Sequence, residues 1–156
     1  MVTLVGTQTD FNDAIRELIE LEYDAIGAYK LAISKLKSAA YKDKLKEFLS
    51  DHERHIADIK DFYEDELVIL PTSGDLIKGC LAKLKVAISS VVSDRTILKA
   101  MLTNELDTNT AYERMNHHQG VPNNPAITSA LKLAYEDEVR HKAWLEAEIA
   151  TFGDIG

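Results

Sequence analysis

Cysteine is nearly absent. Cys80 is the only one, so the sequence has no internal disulfide and no CxxC metal or redox motif. A reducing, cytoplasmic setting is the expectation. Prolines number three and glycines seven, and they fall where breaks would be useful: Pro71 with Gly74, then Gly120, Pro122 and Pro125. No run approaches the roughly 18 apolar residues of a membrane helix. The opening Met1-Val2-Thr3-Leu4-Val5 lacks the basic region and apolar block of a signal peptide. Basic residues are scattered, and the net charge is −8, so neither nucleic acid nor an anionic membrane is an expected partner.

Between the breaks, apolar residues recur at helical spacing. Leu67-Val68-Ile69-Leu70 is the one short run of strand character, and Pro71 ends it. The spacing predicts five helices: about 10–37, capped by Thr9 or Asp10; about 41–65; a shorter one after Ser73, ending near Ser90; one from Ser93 or Asp94 to about His118; and one from Pro125 to about Thr151, with Gly153 beyond it. Short loops make the first two helices one antiparallel hairpin (10–65) and the last two another (94–151). Residues 66–92 cross between them, with Ile77, Cys80, Leu84, Ala87 and Val91 on one face of the short helix. The apolar fraction of 46% suits a single domain over 1–156.

Alternating steps of four and three trace a seam along each long helix. The seams read Phe11, Ile15, Leu18, Glu22, Ala25, Tyr29, Ala32, Leu36; Tyr41, Leu45, Phe48, His52, His55, Ile59, Phe62; Leu98, Met101, Glu105, Thr108, Tyr112, Met115; and Ile127, Leu131, Ala134, Glu138, His141, Leu145. Six residues that can bind metal interrupt them: Glu22, His52, His55, Glu105, Glu138 and His141. An unpaired carboxylate in a core costs several kcal/mol, and a divalent cation is the simplest shared partner for this set. At about 1.5 Å rise per residue the six lie near one level, and residues three apart share a helix face.

The two hairpins also repeat. Glu22-Tyr23-Asp24-Ala25-Ile26-Gly27-Ala28-Tyr29 matches Glu105-Leu106-Asp107-Thr108-Asn109-Thr110-Ala111-Tyr112 as E-x-D-x-x-x-A-Y. Asp51-His52-Glu53-Arg54-His55 matches Asp137-Glu138-Val139-Arg140-His141 as D-[HE]-x-R-H. Asp51 and Asp137 are expected either to support the histidines or to pair with arginines on the helix surface. His117 and His118, near a helix C-terminus, read as surface residues. Cys80 reads as a small core hydrophobe.

Over about 10–151 the chain resembles the ferritin-like superfamily, which includes bacterioferritins and rubrerythrins. That pattern takes one Glu from each of two helices and Glu-x-x-His from each of the other two. Glu105 with Glu138 and His141 follows it in full, and Tyr29 and Tyr112 also resemble it, as core residues beside the ligands. The first half departs. His52 stands where the family has a glutamate that commonly bridges two metals, and His55 with Asp58 is another available pair. One or two ions therefore remain open. The resemblance implies an all-α four-helix bundle and two metal ions, iron first, with manganese or zinc as alternatives. It also implies an oxidoreductase acting on peroxide, dioxygen or ferrous iron, with an external electron donor, since no rubredoxin-like cysteine motif is present. A manganese catalase-like activity is a variant of this reading. The alternative is a non-catalytic bundle that binds zinc, a single metal, no metal or a partner helix. A homodimer is common for such bundles.

Overall fold

The computed structural model describes residues 2–64, 67–74, 82, 84–85, 88 and 91–153. Four long helices carry the described fold: α1 (Phe11–Lys35), α2 (Ala39–Phe62), α3 (Asp94–Asn116) and α4 (Pro125–Thr151). Each begins on a side-chain cap. Asp10, Ser38, Ser93 and Asn124 accept from the backbone N–H of Asp13, Tyr41, Thr96 and Ala126, respectively. Pro125 opens α4, where its missing N–H leaves no bond unmade.

The helix ends differ from expectation by a turn or less. α1 stops at Lys35, because Leu36 is already extended. α2 starts at Ala39 because Ser38, not a later residue, supplies the cap. α3 ends at Asn116, before His117. Residues 67–70 form no strand, and Leu67 and Ile69 face solvent. Most of the expected crossover helix, including Ile77, Cys80 and Ala87, lies outside the described residues. Of its expected face, Leu84 is buried and Val91 is exposed.

α1 packs on α2 and α3, and α4 packs on α2 and α3. The helices thus form a ring in the order α1, α2, α4, α3. The backbone N–H groups of Lys37 and Ser38 both donate to Asp94, tying the turn after α1 to the start of α3. Every neighbouring pair in the ring is antiparallel. All the seam residues of α1, α3 and α4 are buried; on α2 only Tyr41 and Phe62 are partly open. No described helix is long and apolar enough to cross a membrane.

α1 and α3 bury wider faces than α4, since other chain segments lie across them. The Thr3 N–H donates to Asp107, and Arg114 donates to the carbonyls of Thr3 and Val5. Gly6, at φ +90, packs so close that a Cβ there would sit 2.6 Å from Arg114 Cβ. On α1, the repeat's other aspartate does similar work. A Cβ on Gly74 would collide with the Asp24 carboxylate. The aspartate of E-x-D-x-x-x-A-Y thus marks, in both hairpins, the point where a passing segment rests on the bundle.

Candidate metal centre

Mid-bundle, the four seams bring all six expected residues together, none more than 2% exposed. They fall into two overlapping groups whose ligand atoms lie within 4.8 Å of one another. One contains Glu22, His52, His55 and Glu138; the other contains His52, Glu105, Glu138 and His141. The private members of each group come from one hairpin. Glu22 and His55 belong to α1 and α2, and Glu105 and His141 to α3 and α4. His52 and Glu138, equivalent in the repeat, are shared.

Four inward atoms have no hydrogen-bond partner: Glu22 Oε1, His55 Nδ1, Glu138 Oε1 and His141 Nδ1. His55 Nδ1 stands 3.6 Å from Glu22 Oε1 and 3.5 Å from Glu138 Oε1, and His141 Nδ1 stands 3.6 Å from Glu105 Oε1. Buried polar atoms left unmade are costly. Nitrogen and oxygen atoms spaced this way fit around a cation. The donor set suits iron, manganese or zinc. The residues present therefore fit a metal.

The outward nitrogens are held. His55 Nε2 meets Asp137 at 3.0 Å, and His141 Nε2 meets Asp51 at 2.8 Å. In the neutral ring this places the proton on Nε2 and turns the Nδ1 lone pair inward. Each aspartate comes from the opposite hairpin. Arg54 binds both Asp137 and Asp51, and Arg140 binds Asp51 at 2.7 Å and Asp137 at 3.1 Å. Both expectations for these aspartates hold at once: they support histidines and they pair with arginines. The desolvation of Asp137 is outweighed by bonds from His55, Arg140 and Arg54, so its carboxyl lies well below the usual range. Asp51 is lowered in the same way by His141 and Arg140.

His52 lies at the centre. Its Nδ1 is 2.8 Å from Glu22 Oε2 and 3.4 Å from Glu138 Oε1, while its Nε2 is 3.2 Å from Glu105 Oε1. Burial opposes charge on this ring, but Glu138 and Glu22 outweigh it and hold His52 well above the usual imidazole range. His55 is raised too, against its burial, by its bond to Asp137 and the nearby charge of Glu22. Glu22 falls to about 2, because the charge and hydrogen bonds of His52, with His55, overcome desolvation. Glu105 is lowered well below the carboxylate range, against its burial, by the close approach of His141 and His52. Glu138 moves the other way: burial and the charge of Glu105 push it well above the usual carboxylate range. Without metal, the imidazolium of His52 thus neutralises part of the carboxylate charge.

The tyrosines differ. Tyr29 donates a short hydrogen bond to Glu105. Tyr112, its repeat partner, has no partner for its buried hydroxyl and packs edge-on to His55 at 5.5 Å. Burial, with the neighbouring carboxylates, raises both phenols well above their usual range. Phe48 stacks on His141, with ring centroids 4.1 Å apart.

Glu53 faces solvent as its position requires, and Asp58 stays outside both groups. His118 corrects the surface reading. It is half-buried, its Nε2 bonds the Gln8 carbonyl at 2.6 Å, and its Nδ1 accepts from Gly120 N–H at 2.9 Å. The sequence placed Thr108 on its seam but gave it no role. Its hydroxyl donates to Glu138 Oε2 at 2.5 Å. The Asn109 amide ties the carbonyl of Glu105 on α3 to that of Glu138 on α4. A polar residue on an otherwise apolar seam was the available signal for Thr108. Asn109, one step off the seam, left none.

No curated protein and no solved structure matches the chain. A family model described as a domain of unknown function, DUF2383, matches residues 10–118, which span α1, α2, α3 and the crossover. Glu138 and His141 lie beyond that match. With well over half its length covered, the chain belongs to the DUF2383 family.

Proposed function

We propose that this protein is a ferritin-like di-metal protein, with Glu22, His52, His55, Glu105, Glu138 and His141 as ligands to two iron or manganese ions. We further propose that it is an oxidoreductase acting on peroxide, dioxygen or ferrous iron. The observation that carries the reading is the set of four unpartnered inward atoms, two of them histidine nitrogens whose far side is fixed by an aspartate. Metal-ligating histidines characteristically have such a partner, which sets tautomer and ring orientation. The bundle topology and the E-x-D-x-x-x-A-Y and D-[HE]-x-R-H repeats support the superfamily resemblance.

Redox-active ions bound there would supply electrons to a small oxidant, and a separate donor would restore them. The chain's own contribution is orientation and exclusion of water. Asp51 and Asp137 orient the imidazoles, Tyr29 and Thr108 hold Glu105 and Glu138, and full burial keeps bulk solvent out. Anaerobic loading with ferrous iron, followed by dioxygen or peroxide, tests this. Oxidation of two ferrous ions per chain, faster than in buffer and lost in Glu105→Ala, is the expected result. Binding of two ions with no acceleration would remove the oxidoreductase assignment.

One observation favours a second reading, a non-catalytic bundle that needs no metal. The His52 ring already lies against Glu22 and Glu105 and carries the charge that offsets them. Failure to bind iron, manganese or zinc after reconstitution would select it.

A further inference from the structure

We propose that His52 bridges the two ions through its ring, with Nδ1 on the ion held by Glu22 and His55 and Nε2 on the ion held by Glu105 and His141. The inference rests on the two-metal reading and names how its halves are joined.

Four observations on the ring carry it. His52 belongs to both ligand groups. Its two nitrogens face different hairpins: Nδ1 is 2.8 Å from Glu22 on α1, and Nε2 is 3.2 Å from Glu105 on α3. Neither nitrogen is claimed by an aspartate, unlike Nε2 of His55 and of His141. Glu138, the other shared group, has one oxygen already engaged, because Oε2 accepts from Thr108 and only Oε1 lacks a partner. That free oxygen stands 3.4 Å from His52 Nδ1 and 3.5 Å from His55 Nδ1, on the first hairpin's side. His52 is thus the shared residue with a nitrogen presented to each half. An imidazole offers two divergent lone pairs once both ring protons have left, and those protons pass to solvent as the ions bind. Metal–nitrogen bonds of about 2.0–2.1 Å on opposite edges of a ring hold two ions farther apart than the about 3.5–4 Å of common two-metal sites.

The test uses the full chain loaded with cobalt(II) alone, read by metal content and by paramagnetically shifted proton resonances. His55 and His141 each keep an exchangeable Nε2–H, on Asp137 and Asp51, so each contributes one shifted signal that vanishes in D2O. A bridging His52 has no ring N–H and contributes none. The expected result is two cobalt per chain with two exchangeable signals, both still present in His52→Glu. A third signal at two cobalt per chain would show a ring proton on His52 and overturn the bridge while leaving the two-metal site intact. Loss of one of two signals in His52→Glu would overturn it likewise. Fewer than two cobalt per chain would bring down the two-metal reading itself, and the bridge with it. If His52→Glu fails to fold, His55→Gln and His141→Gln should each remove one of the two signals, and a signal that survives both substitutions would belong to His52 and overturn the bridge.

Discussion

The two hairpins are built alike and differ at their shared residue. Each contributes a glutamate from its first helix and a histidine from its second. Each also sends an aspartate across to the other's histidine. Where the second hairpin offers Glu138, the first offers His52. Where the second steadies its shared group with Thr108, the first has Ala25 at the matching position. The comparison teaches that a repeated frame can keep both private Glu–His pairs while changing the joint between them. That change replaces an anion with a ring that can carry positive charge, so the same cavity is tolerable without metal.

The largest expected effect separates the private glutamates. Glu105 is bonded by both Tyr29 and His52, whereas Glu22 is bonded by His52 alone and its Oε1 has no partner. Removing one member of a buried ion pair costs about 3–5 kcal/mol. Glu105→Ala should reach that range in urea unfolding of the metal-free protein, and Glu22→Ala should cost less. The reverse order would break the comparison.

Next comes the crossing of the aspartates. Loss of such a histidine partner typically lowers metal affinity by about 10–100-fold. Asp137→Asn should weaken the half built on His55, and Asp51→Asn the half built on His141. Metal titration followed by the resonances of each histidine checks this. Weakening of the aspartate's own hairpin would contradict the crossed arrangement.

Thr108→Ala makes the second hairpin resemble the first at that position. The lost hydrogen bond should cost about 1 kcal/mol in the metal-free protein, measured as a shift in the urea midpoint. No change would mean that Thr108 does not hold Glu138.

The shallowest effect is a pH slope. The folded state raises His52 above its ordinary value of 6.5, so its stabilisation is fully present below 6.5 and is lost as pH rises through the higher folded value. The metal-free protein should therefore lose stability on the alkaline side. Glu22, lowered from 4.5 to about 2, contributes above 4.5 and loses that contribution as pH falls toward about 2. Thermal unfolding across pH, without metal, should show both slopes. His52→Leu should flatten the alkaline one.

Much of this was legible in the sequence, for physical reasons. Seam positions follow from helical periodicity, and a Glu or His amid Leu, Ile and Phe stands out because burying it alone is costly. The repeat pairs Tyr29 with Tyr112 and Asp51 with Asp137 in the sequence itself. It did not show that Asp51 reaches His141 rather than His55, because that depends on the antiparallel register of α2 against α4. Nor did it show residues 3–6 lying across α3, since a short segment built around a turn has no periodicity to read. α2 starts before the position that the spacing suggests, because Ser38 caps it alone, with no acidic residue in the first turn to reinforce the signal. Tyr29 and Tyr112 look equivalent in sequence, yet only Tyr29 makes a hydrogen bond to a carboxylate.

The most direct test of the central claim is metal content per chain, by elemental analysis, after anaerobic reconstitution with ferrous iron or manganese(II) and removal of excess ion. The account predicts close to two ions per chain in the unaltered protein and clear loss in Glu105→Ala. No retained metal in the unaltered protein, with the fold intact, would contradict it and leave His52 as the cation for which the cavity is built.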